Sequence, residues 1–179
     1  FWGKKIPLPQ EAADFVKTYH GYYFSWAVVY TFWYHPMEPT QGHLVGFFYM
    51  ALLMLQGSLF FTRVHGNRYW TVWLELMVFF HGTAVALEQG GFFLPMFGFG
   101  FAGIWVITQM HGLSLPRLAR LGFLLAYLGG IILVYSERGV AKLEEPTRIP
   151  IAEYVLVVLV ALLLGGTLKL IRWLRPSEA

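Results

Sequence analysis

Apolar residues fill six long stretches of the chain, and short polar breaks separate them. The stretches cover residues 19–34, 43–62, 69–89, 92–110, 115–135 and 151–174. Each approaches the roughly 20 residues that a hydrocarbon core of about 30 Å demands, with 19–34 the shortest, ended by His35-Pro36. Within lipid, backbone polar groups are satisfied only inside a helix or a closed barrel, and these runs are too long for barrel strands. The pattern therefore predicts an all-α membrane protein, a bundle of about six transmembrane helices with short loops. Short connections make sequential helices antiparallel neighbours. The length suits a single transmembrane domain over 1–179.

Residues 7–18, PLPQEAADFVKT, read differently. Pro9 suits a first helical turn, and Glu11 and Asp14 favour the N-terminal half of a helix. They predict an N-terminal interfacial helix ahead of the first span. No charged, apolar and small-residue sequence of the signal-peptide kind opens the chain.

The spans differ in texture. The first four are crowded with Trp, Tyr, Phe, His and Gly, whereas the last two are mostly Leu, Val and Ile, as in YVLVVLVALLLGG. This contrast predicts a working bundle of four helices with two lipid-facing helices on its flank. In PMFGFGFAG of the fourth span, Pro95 predicts a kink near the outer end. Gly98, Gly100, Ala102 and Gly103 predict close helix packing, or a groove for a flat ligand.

Charge gives the orientation. Lys4, Lys5, Lys17, Arg63, Arg68, Arg117, Arg120, Lys169, Arg172 and Arg175 fall on one side of the predicted bundle; Arg138, Lys142 and Arg148 fall on the other. The positive-inside rule makes the first side cytoplasmic and puts both termini there. A bacterial inner membrane or an equivalent energy-transducing membrane is the expected location. The net charge of +3, without a basic stripe, predicts no nucleic-acid partner. The absence of Cys excludes disulfides, thiolate metal sites and Cys nucleophiles.

Ionisable groups inside hydrocarbon are costly, which makes them the first candidates for chemistry. The third span holds Glu75, His81 and Glu88. At about 100° per residue, His81 and Glu88 share a face with Trp70 and Met77, while Glu75 points elsewhere. Gln56, on the antiparallel second span, falls at the depth of Glu75, which predicts a Gln56–Glu75 hydrogen bond. That contact reads as interhelical glue or as part of a proton or substrate path.

Tyr30, Tyr49 and Tyr127 fall in the depth layer of His81. Such phenols around an imidazole would serve a quinone carbonyl, a proton relay or an axial ligand to haem, chlorophyll or bacteriochlorophyll. A core His bonded to one Tyr is the structural alternative. The outer loop offers His35, Glu38 and His43 as metal ligands, with Glu88 as a fourth, in a spacing that matches no established signature. His20, His65 and His111 collect at the cytoplasmic edge.

Familiar catalytic signatures are missing: GxSxG, HExxH, a P-loop and a Gly-rich dinucleotide turn. Three functional expectations follow. The first is an accessory subunit of a larger membrane complex, most naturally a respiratory or photosynthetic electron-transfer assembly. Its partners would be lipids and other integral membrane subunits, and its ligands quinone, carotenoid or pigment. The second is a small proton-coupled carrier or membrane enzyme using Glu75, His81 and Glu88. The third is a metal-binding membrane protein using His35, Glu38 and His43.

Overall fold

A computed structural model describes residues 2–91 and 93–174. It contains six α-helices: α1 (Gln10–Phe32), α2 (Gln41–Ser58), α3 (Arg68–Glu88), α4 (Leu94–Ile107), α5 (Arg117–Arg138) and α6 (Glu145–Leu174). Short 3-10 turns follow α1, α4 and α5, and no strand occurs among the described residues. Arg175 and Phe92, which the sequence reading used for orientation and for the start of the fourth span, lie outside the described residues.

Three segments are long and apolar enough to cross a membrane: α3, α5 and the run Val140–Leu174 that contains α6. The 14 residues of α4 span about 21 Å at 1.5 Å per residue, less than the hydrocarbon thickness. The 3-10 turn Gln109–Leu113 follows it after Thr108.

Helix boundaries follow local chemistry. Pro9 precedes α1, and the helix runs unbroken from Gln10, so the expected interfacial helix and first span are one element. Nothing between Lys17 and Tyr19 interrupts the backbone bonding, and Gly21 is accommodated within the helix. Pro95 lies in the first turn of α4, where its missing N–H costs nothing. It starts that helix instead of kinking it.

Five helices close a ring. Contacts join α1 to α2, α2 to α3, α3 to α4, α4 to α6 and α6 back to α1, while α5 packs on the outside against α4. The expected lipid-facing pair is thereby corrected: α5 is peripheral, but α6 is part of the ring. Small residues make this possible. A Cβ on Gly100 would stand 2.8 Å from Ile149 of α6, and one on Gly103 would stand 3.2 Å from Pro150 and 2.9 Å from the Tyr127 hydroxyl. Gly98 has open space beside it, so the close approach runs through Gly100 and Gly103. At the opposite end of α6, Gly165 packs on Pro9, and the buried Ala12 lies alongside.

Candidate functional site

A half-open cavity of about 460 Å³ lies between the five ring helices. Its polar lining comes from Tyr49 and Gln56 of α2, Thr71 and Glu75 of α3, Thr108 and Gln109 after α4, and Glu153 of α6. Phe24, Phe79 and Phe101 are among its apolar walls. Glu75 is half-buried, while Glu153 is more exposed and stands at the cavity's edge. The two carboxyls interact electrostatically, and Tyr49 also feels Glu75. Among the described residues, neither carboxyl makes an ion pair or a hydrogen bond.

The expected Gln56–Glu75 bond is corrected. The Trp70 indole N–H donates to Gln56 Oε1 at 2.6 Å, and Gln56 Nε2 donates to the His65 carbonyl at 3.2 Å. Both ends of the amide are therefore committed within the α2–α3 hairpin. Gln56 and Glu75 share the cavity without a bond between them.

The shared face of Trp70, His81 and Glu88 packs on α2. Glu88 accepts hydrogen bonds from the Gly42 amide at 2.8 Å and the Thr40 hydroxyl at 3.1 Å. His43 Nδ1 lies 2.9 Å from that same hydroxyl. His81 meets imidazoles and not phenols. Its ring centroid is 5.5 Å from that of His35, and His35 is 6.3 Å from His43. Donation from His35 Nδ1 to the Thr31 carbonyl, at 2.9 Å, fixes its tautomer and turns Nε2 toward Gly46.

The three tyrosines expected around His81 lie elsewhere. Tyr30 is 73% exposed and stacks on Trp26. Tyr49 faces the cavity, and Tyr127 lies against Gly103 and Phe99. Equal depth placed these residues in one layer, but the helix rotations point them apart. His35, Glu38 and His43 do not converge as ligands either: among the described residues, no group of three or more His, Asp or Glu side chains could hold a metal ion. At the other end of the bundle, the His20 and His65 rings are 6.0 Å apart around Phe60, while His111 contacts Trp2 and Arg120.

Two features escaped sequence reasoning. One is Glu153, which sits in an otherwise aliphatic run but faces Glu75 across the ring. A lone carboxylate in such a run is a signal that could have found it. The other is Glu145, 4% exposed, which holds Tyr135, Arg138 and Lys142 together at the α5–α6 corner. Its position in a charged loop sequence hid its burial.

The outward surface of α1 is a separate candidate. Tyr22, Trp26, Tyr30 and Trp33 are 79%, 69%, 73% and 73% exposed. At 100° per residue they fall within about 80° of one another and run for about 16 Å along the helix. Among the described residues, no hydroxyl or indole N–H of these four is hydrogen-bonded. No family model matches the chain, nor does any curated protein or solved structure.

Proposed function

We propose that the chain is an integral membrane subunit that docks into a larger membrane assembly through the aromatic face of α1. The observation that carries this reading is the stripe of Tyr22, Trp26, Tyr30 and Trp33. Trp and Tyr favour the membrane–water interface, where the ring is buried and the polar tip is wet. A stripe about 16 Å long reaches beyond that zone into hydrocarbon. Lipid tails offer no acceptor to a phenol or an indole, whereas a helix of another membrane protein supplies carbonyls and polar side chains.

In this reading all six helices cross the bilayer, with α4 extended by its 3-10 turn. The side rich in Lys and Arg is cytoplasmic, and it carries both ends of the sequence given. The outer surfaces of α5 and of the Leu/Val-rich part of α6 meet lipid. The nature of the host, respiratory, photosynthetic or other, is what the experiment identifies.

A photo-crosslinking amino acid at position 30 tests the proposal in native membranes, with position 163 on α6 as the lipid-facing comparison. Position 30 is expected to capture one defined membrane polypeptide, and position 163 lipid. The same polypeptide should copurify with the unmodified chain and be lost from a Trp26→Ala, Tyr30→Ala double variant. Capture of lipid alone at position 30, with the chain purifying by itself, would overturn the reading.

A further inference from the structure

We infer that Glu75 is a proton-binding site reached by water from one end of the bundle, the end that carries Arg68. This is independent of the docking reading, because it concerns the interior of the ring.

The geometry begins with a second cavity of about 350 Å³, lined by Arg68, Thr71, Glu75, Thr108, Gln109 and Gly112 among others. It shares Thr71, Glu75, Thr108 and Gln109 with the central cavity, so the two adjoin at Glu75. Arg68 opens α3 and Gly112 lies in the turn after α4; both are exposed. Together the cavities make a polar path from that surface to the middle of the ring. Hydroxyls and an amide line it, and these are groups that order water.

In the opposite direction the helices pack closely. The Phe101 ring lies so near Gly82 that a Cβ there would collide with it. Above it, the Gly46 backbone is covered by the imidazoles of His35 and His81. Beyond that, Glu88 bonds across to Gly42. These three contacts tie α3 to α4, to α2 and to the turn after α1 on the outer side.

The charges select what the path serves. Sharing a cavity with Glu75 are Tyr49 from α2, Glu153 from α6 and, at the mouth, Arg68 from its own helix. A half-buried carboxylate without an ion pair, with a second carboxylate at the edge of its cavity, calls for a proton or a cation. Arg68, held by Ser114 Oγ at 3.0 Å, sets a permanent positive charge at the mouth. It raises the barrier to any cation, and among the described residues no group of three or more His, Asp or Glu side chains could hold a metal ion there. A proton needs no such ligand set: it bonds to a single carboxylate oxygen, and with water filling the path between Thr71 and Thr108 it arrives by exchange along hydrogen bonds. It is taken up on a Glu75 carboxylate oxygen and leaves by the same route.

The absence of native Cys allows a direct test on the full chain in liposomes of known orientation. Thr71→Cys and Gln109→Cys are expected to react with a small, membrane-impermeant thiol reagent added on the Arg68 side and not from the other side. Infrared difference spectra after a pH jump should show a carboxylic-acid band that is lost in Glu75→Gln. Helical content and elution volume establish that each variant is folded. Equal labelling from both sides, no labelling of a folded variant, or an unchanged band in Glu75→Gln would each overturn the inference. None of these outcomes bears on the docking of α1, whose test is the cross-link.

Discussion

Glu88, the last residue of α3, accepts the amide hydrogen bond of Gly42 in the first turn of α2 at 2.8 Å. A carboxylate that ends one helix thus caps the start of the preceding one. Its partner Thr40, the N-cap of α2, also accepts from the His43 amide. The negative charge is well placed at the N-terminus of α2 and poorly placed at the C-terminus of α3. The hydrogen bonds to α2 explain its position.

Glu88→Ala is therefore expected to loosen the α2–α3 pair at the end where Glu88 meets Gly42. Glu88→Gln should be milder, because the amide oxygen still accepts from Gly42. Thermal unfolding in detergent ranks the variants, with wild type above Gln and Gln above Ala. An Ala variant as stable as wild type would show that the cap contributes nothing.

The Trp70–Gln56 bond gives a second prediction. Trp70→Phe removes one neutral hydrogen bond and is expected to cost about 1 kcal/mol. Gln56→Leu strands the indole N–H between helices and should cost more, roughly 1–3 kcal/mol. Chemical denaturation of the two variants compares them directly. Equal losses would mean that the indole N–H is satisfied without Gln56.

The contrast between Gln56 and Glu88 shows what could be read without a structure. Each of the six apolar stretches holds a helix, and three of those segments are long and apolar enough to cross a membrane. The turn of α3 that put Trp70, His81 and Glu88 on one side followed from helical period alone. Depth matching was a weaker guide. It placed Gln56 beside Glu75 and Tyr30, Tyr49 and Tyr127 beside His81, but depth leaves the rotation of each helix unspecified. The five-membered ring depends on which small residues meet which neighbours: Gly100 and Gly103 on α6, Gly165 on Pro9. Glu153 acquired its place opposite Glu75 only through that ring. Its aliphatic surroundings made α6 look like a lipid-facing flank.

Glycines of equal sequence appearance should respond unequally. Gly46 lies under His35 and His81, and a Cβ there would stand 2.8 Å from His81 Nε2. Gly46→Ala is expected to cost about 1–3 kcal/mol through overpacking. Gly98 meets open space, and Gly98→Ala should be neutral or slightly stabilising through helix propensity. A double variant, Gly46→Ala with His35→Ala, should recover part of the loss. Unfolding midpoints of the four proteins test this, and a loss in Gly98→Ala as large as that in Gly46→Ala would argue against the packing described.

Glu145 carries the largest expected loss. It is 4% exposed and accepts from the Tyr135 hydroxyl at 3.1 Å and from Arg138 Nη2 at 3.3 Å. Lys142 Nζ lies 3.4 Å from its other oxygen. Tyr135 itself is 2% exposed, so the carboxylate fastens the start of α6 to the end of α5 at a buried point. Removing one member of a buried ion pair costs about 3–5 kcal/mol in general. The Arg138 and Lys142 side chains are 24% and 42% exposed, so water takes over part of their solvation. Glu145→Ala should therefore fall at the low end of that range. Tyr135→Phe, which deletes only one hydrogen bond to a charged group, should cost roughly 1.5–3 kcal/mol. Because α5 meets the ring mainly through α4, both variants should release α5 first. Limited proteolysis in the 139–144 connection reads this directly. Faster cleavage there, with the α2–α3 hairpin still protected, is the expected pattern; uniform cleavage would mean that Glu145 supports the whole bundle and not one corner.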